Sequence, residues 1–105
     1  MITDWKNSKI VLEKFDCLDE QEIVVAKKII EKYVEKVCKI TEYRQIKLEL
    51  KTHSKTKFKN FEIKGHIEYN GGMVMSEKQD INPFVAIDFV MEKMLKEIQH
   101  KIERK

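Results

Sequence analysis

Phe61-Glu62-Ile63-Lys64-Gly65-His66-Ile67-Glu68-Tyr69-Asn70-Gly71-Gly72-Met73-Val74-Met75 is the stretch that decides the fold. Phe61, Ile63, Ile67 and Tyr69 share one parity, while Glu62, Lys64, His66 and Glu68 share the other. A period of two with one apolar face is a half-buried strand. Asn70-Gly71 then predicts a type I′ hairpin, whose two central residues need positive φ. A further strand over about 73–78 must therefore pair antiparallel with the one before it. Working backwards, Ile46, Leu48 and Leu50 alternate with Lys47, Glu49 and Lys51, which makes another half-buried strand. The loop between them, Thr52-His53-Ser54-Lys55-Thr56-Lys57, is basic, and His53 and His66 are neighbours across the strand pair if the register allows it.

On either side the period changes to about 3.6. Ile23, Ala26, Ile30, Tyr33, Val34, Val37 and Ile40 form one apolar stripe, predicting a helix over 20–41 with Lys28, Lys32, Lys36 and Lys39 on the opposite side. Glu31 and Glu35 are interleaved with them, which taken alone reads as a solvated face with local ion pairs such as Glu35 to Lys39. Asp19, three residues before Glu22, has the spacing of a capping box. Cys38, at the end of the stripe, reads as a small buried residue. After the third strand, Asn82 is a good cap, and Pro83 occupies a first helical position where its missing N–H costs nothing. Phe84, Ile87, Met91, Met94, Leu95, Ile98 and Ile102 make the apolar stripe of this last helix. Phe89 stands off that stripe, either packing against the first helix or lying open among the basic residues. Upstream, Lys9 to Phe15 reads as a short strand ending at Asp16.

The order is β-α-β-β-β-α. One apolar stripe per helix and one apolar face per strand predict an α+β two-layer sandwich, with both helices on one face of a four-stranded sheet and water on the other. A chain of 105 residues makes one such domain, with 1–7 as an N-terminal extension. No apolar run is long enough to span a membrane, and the N-terminus has no signal-peptide apolar region. Cys17 and Cys38 form neither a disulfide framework nor a Cys-x-x-Cys pair, which fits a reducing cytoplasm.

No catalytic constellation is visible. His53, His66 and His100 are too few for a closed zinc site, and Asn70-Gly71-Gly72 precedes no helix and is not a phosphate loop. The expectation is a protein that is not an enzyme and needs no metal, cofactor or small-molecule substrate. Charge is more informative. The net charge is +3, but residues 44–64 hold seven bases against two acids and residues 93–105 hold five against two. Clustered Lys beside aromatics such as Phe58 is the footprint of phosphate-backbone binding.

The last 35 residues carry a resemblance. Asn70-Gly71-Gly72, then Asn82-Pro83-Phe84-Val85-Ala86-Ile87-Asp88, then Lys93, Lys96 and Lys101, resemble the ribosome hibernation promoting factors, or ribosome-associated translation inhibitors. In that family an Asn-Gly-Gly hairpin turn leads to a strand, an Asp-x-Tyr cap, and Ala-Ile-Asp opening a basic final helix. Here Asn82 and Phe84 stand in place of the family's Asp and Tyr, and Pro83 is unusual there. The match is close over about 70–105 and one of pattern over 8–69, where the first helix agrees in its apolar spacing and in Lys32 and Lys39.

The resemblance implies a short-form factor, monomeric when free. Such a factor occupies the messenger and transfer RNA channel of the small ribosomal subunit and silences the ribosome reversibly, as in a stress response. Its partners are that subunit and its ribosomal RNA. Match to the family's final helix points to Lys93, Lys96 and Lys101 as RNA contacts, and the first helix adds Lys32 and Lys39. Charge clustering adds Lys51, Lys55, Lys57, Lys64 and Arg104. Two other readings stand beside it. One is a double-stranded-RNA-binding module, although the Asp80-Ile81-Asn82-Pro83 start of the last helix lacks the Lys it needs. The other is a protein-interaction domain whose charge serves only solubility.

Overall fold

The computed structural model describes residues 9–53 and 60–103. The order is β1 (Ile10–Glu13), a 3-10 turn (Phe15–Cys17), α1 (Glu20–Ile40), β2 (Tyr43–His53), β3 (Asn60–Tyr69), β4 (Gly72–Asp80) and α2 (Pro83–Glu103). The strands lie in sequence order, β1-β2-β3-β4. β1 runs parallel to β2 through the α1 crossover, and β2–β3 and β3–β4 are antiparallel. This is the expected α+β sandwich, with the helices packed on one side of the sheet.

The start of each helix follows from its cap. Asp19 accepts from the Glu22 N–H at 2.8 Å, and Glu22 returns a bond to the Asp19 N–H at 2.9 Å, so the capping box is complete. Asn82 Oδ1 accepts from the Phe84 N–H at 2.8 Å. The core is the helix-facing parity of the strands meeting the helical stripes: Ile46, Leu48, Leu50, Ile63 and Ile67 against Ile30, Ile87, Met91, Met94 and Ile98. Each such side chain contributes about 1.5–3 kcal/mol by leaving water. Gly65 lies in the middle of this face. A Cβ added there would meet Leu48 Cδ2 at 2.6 Å, Val90 Cγ1 at 2.9 Å and Met94 Cε at 3.0 Å, so the missing side chain is what lets α2 lie close to β3.

Three local expectations change. The β3–β4 turn is not type I′, because the positive φ falls on Gly72 (143°) and not on Asn70 or Gly71. The extra backbone freedom of glycine is used one residue later, where β4 begins. His53 and His66 are not neighbours: the register pairs His53 with Asn60 and His66 with Lys47. Cys38 is exposed, since the buried stripe of α1 runs through Ala26, Ile30, Tyr33 and Val37 and leaves Cys38 to one side.

Candidate nucleic-acid interface

Two broad surfaces could meet a ligand: the open face of the sheet and the outer side of the helical layer. Strand alternation decides what the open face carries. Its rungs run Glu13, Glu49, Lys64, Glu77; then Val11, Lys47, His66, Met75; then Lys51, Glu62, Gln79; and Gln45, Glu68, Met73. Five carboxylates therefore share this face with three lysines. Lys47 Nζ lies 2.8 Å from Glu13 Oε1, and Lys14 Nζ lies 3.3 Å from Glu49 Oε2. His53 Nε2 and Glu62 Oε1 are 2.9 Å apart, and that hydrogen bond holds the Glu62 carboxyl below its ordinary range despite some desolvation. The bases of residues 44–64 that look concentrated in sequence are thus spread among acids in space. Lys51 sits opposite Glu62, and Lys64 sits between Glu49 and Glu77.

The outer side of the helices is built differently. In α1, Lys28 and Lys39 project opposite the buried stripe, Lys32 and Lys36 lie toward α2, and all four are exposed. In α2, Lys93 and Lys96 are exposed and lie about 60° apart around the axis, so they share a face. Among the described residues no ion pair holds Lys28, Lys39 or Lys93. Acids share this layer: Glu31 and Glu35 are exposed among the α1 lysines, and Asp88 and Glu92 stand on α2. Asp88 meets Lys32 at 3.5 Å, and Glu92 meets Lys96 at 3.6 Å within α2.

Asp88 also fastens the two helices together. The Tyr33 hydroxyl donates to Asp88 Oδ1 at 2.8 Å. Burial, and then this bond to a carboxylate, push the Tyr33 hydroxyl well above the ordinary tyrosine range, so it stays a proton donor. The Lys32 and Lys36 ammonium groups stand 4.8 and 5.4 Å from the Tyr33 ring centre, which keeps two cations at the seam between α1 and α2.

Lys32, Lys39, Lys93 and Lys96 are therefore brought to one layer. Lys51 and Lys64 lie on the opposite side of the sheet. Lys101 departs from its sequence neighbours: it is about 140° around α2 from Lys96, and its Nζ donates to the Met73 carbonyl at 3.4 Å. It ties the end of α2 to the start of β4. Lys55, Lys57 and Arg104, with 1–7 and Phe58, lie outside the described residues. Phe89, which the sequence left open between two places, is not packed on α1. It is 40% exposed, and Lys78 of β4 sits over its ring at 4.8 Å.

Among the described residues no cluster of three or more His, Cys, Asp or Glu could hold a metal ion, and no helix is long and apolar enough to cross a membrane.

No family model matches the sequence, and no curated protein matches it. Among solved structures, the chain is similar to the crystal structure of the Thermus thermophilus Protein Y N-terminal domain, at 15% sequence identity and a TM-score of 0.53. The similarity covers 70% of this chain and 79% of that one. At that identity the likeness is one of fold.

Proposed function

We propose that this protein is a ribosome-binding translation inhibitor: it occupies the messenger and transfer RNA channel of the small ribosomal subunit through basic contacts to ribosomal RNA, and so promotes ribosome hibernation in the cytoplasm. The observation that carries the reading is the gathering of Lys32, Lys39, Lys93 and Lys96 on the outer helical layer, where Lys39 and Lys93 have no ion pair among the described residues, while on the opposite face of the sheet Lys47, Lys51 and Lys64 each stand beside a glutamate. The family resemblance of residues 70–105 supports it, and so does the fold shared with Protein Y, which belongs to the ribosome hibernation and translation inhibitor family.

The chemistry asked of the protein is modest. Structured RNA is read largely by shape, phosphate and 2′-OH. Lysines give affinity without sequence reading, and a compact wedge that blocks a channel needs no catalytic group. Four cations on a rigid helical layer suit that task, because the Tyr33–Asp88 bond fixes how α1 and α2 sit. A double-stranded-RNA module is built on helix, three strands, helix. The parallel β1–α1–β2 crossover of this chain adds an element outside that plan.

Sedimentation of the protein through a sucrose gradient with ribosomal subunits tests the reading. Comigration with small subunits, together with inhibition of translation in a cell-free system, is the expected result. Binding to plain RNA duplex without comigration would instead favour the double-stranded-RNA module. Neither kind of binding would favour a protein-interaction domain.

A further inference from the structure

Phe89 is an exposed aromatic ring on a helix whose apolar stripe lies elsewhere. It lines a shallow groove of about 340 Å³ along the outer side of α2, together with Glu92, Lys93, Lys96, Glu97 and His100. Lys78 reaches over the ring from β4, with its Nζ 4.8 Å from the ring centre. Three lysines and one histidine therefore surround the ring. Of the two acids in the groove, Glu92 is already engaged by Lys96 at 3.6 Å.

A single exposed aromatic is ordinary on a protein surface. This one differs in its setting. Lys78 belongs to the edge strand and has the parity that faces the helices, level with Leu50 and Ile63 on their strands. The ring of Phe89 covers that lysine, and the ammonium group in turn is held against the ring. The rest of the ring opens into a groove whose rim carries the cations assigned above to RNA phosphates. Unpaired RNA bases stack on aromatic faces flanked by basic groups, and they do so with little dependence on base identity.

We propose that Phe89 is a stacking platform for an unpaired base of ribosomal RNA, with Lys78, Lys93, Lys96 and His100 around it to take the adjoining phosphates. The inference rests on the RNA-binding reading of the helical layer and adds to it a non-electrostatic subsite. An electrostatic face alone holds phosphates anywhere along a strand. A ring set among the cations favours a place where a base is out of its stack, and so it selects single-stranded or bulged RNA over duplex.

The test is equilibrium binding of the full chain to isolated small ribosomal subunits, for the wild type, Phe89→Leu and Phe89→Trp, across a salt series, with a thermal melt of each protein. Leu is a good helix former at an exposed position, so both variants are expected to melt like the wild type. Loss of one base stack predicts that Phe89→Leu binds roughly 5- to 150-fold more weakly with an unchanged salt slope, and that Phe89→Trp stays within about threefold. Phe89→Leu binding within about twofold of the wild type overturns the stacking subsite and leaves the basic helical face standing. A weakened Phe89→Leu with a clearly shallower salt slope overturns it as well, because Phe89 would then act only by holding Lys78. Wild-type protein that binds no subunits overturns the ribosomal reading itself, and the subsite with it.

Discussion

The open face of the sheet and the outer side of the helices both carry lysines, yet they are different surfaces. On the sheet, side chains alternate and each residue meets a partner on the next strand. Lys51 faces Glu62, Lys64 falls between two glutamates, and Lys47 is bonded to Glu13 at 2.8 Å. On the helices a lysine every three or four residues stays on one side, with Glu31 and Glu35 between the α1 lysines, Asp88 on Lys32 and Glu92 on Lys96, and Lys28, Lys39 and Lys93 without an ion pair among the described residues. Charge counted along a sequence is thus a poor guide to charge in space. A strand pair sets its bases opposite cross-strand acids, whereas a helix gathers its bases on one side together with the acids that alternate with them, here Glu31 and Glu35.

Salt is the strongest lever on this difference. If four lysines of the helical layer each neutralise a phosphate, a fourfold rise in salt should weaken small-subunit binding about 50- to 150-fold, from slopes of roughly −0.7 to −0.9 per contact. Affinity unchanged across that range would point to a protein–protein contact through either face.

The next effect concerns what holds the faces apart. Gly65→Ala places a Cβ within 3.0 Å of Leu48 Cδ2, Val90 Cγ1 and Met94 Cε, and these side chains between β3 and α2 must repack. The variant should lose about 1–2 kcal/mol, the cost of overpacking less the entropic gain of removing a glycine. A melting temperature equal to the wild type's would show that α2 has slack over the sheet. Smaller still is Tyr33→Phe, which removes the bond to Asp88 and leaves Lys32 on that carboxylate. It should cost about 1 kcal/mol, read in denaturant melts. If it also weakens subunit binding more than about twofold, the Tyr33–Asp88 tie does more than hold the helices, since it also places the α1 lysines.

Most of the fold was legible because local and global signals agree. The apolar stripes set both helices, Asp19 and Asn82 set where they start, and the alternation of 46–51 and 61–69 set the strands. What was hidden is what depends on register and rotation. The separation of His53 from His66 follows from how β2 and β3 slide past each other, which period alone does not fix. Lys101 reads like Lys93 and Lys96 in a family pattern, but five residues beyond Lys96 the helix has turned it toward the β3–β4 turn and the Met73 carbonyl. The place of Phe89 was undecided because its partner, Lys78, comes from the far edge of the sheet. For the candidate site, the helical lysines were readable from the wheel. The Lys47–Glu13 ion pair and the glutamates opposite Lys51 and Lys64 were not, since they need the strand neighbours.

The most direct measurement sets the two faces against each other. Lys93→Glu/Lys96→Glu and Lys51→Glu/Lys64→Glu change the same charge by the same amount on opposite sides of the molecule. Each pair is assayed for small-subunit binding at physiological salt and for its melting temperature. The helical pair should melt within about 0.5 kcal/mol of the wild type and lose well over tenfold in affinity, about 1.4 kcal/mol or more. The sheet pair should stay within about threefold in binding, because Lys51 and Lys64 lie on the face turned away from the proposed RNA contact and exposed charges of that kind contribute little. A helical pair that binds and inhibits translation at wild-type doses, beside a sheet pair that does not, would contradict the account.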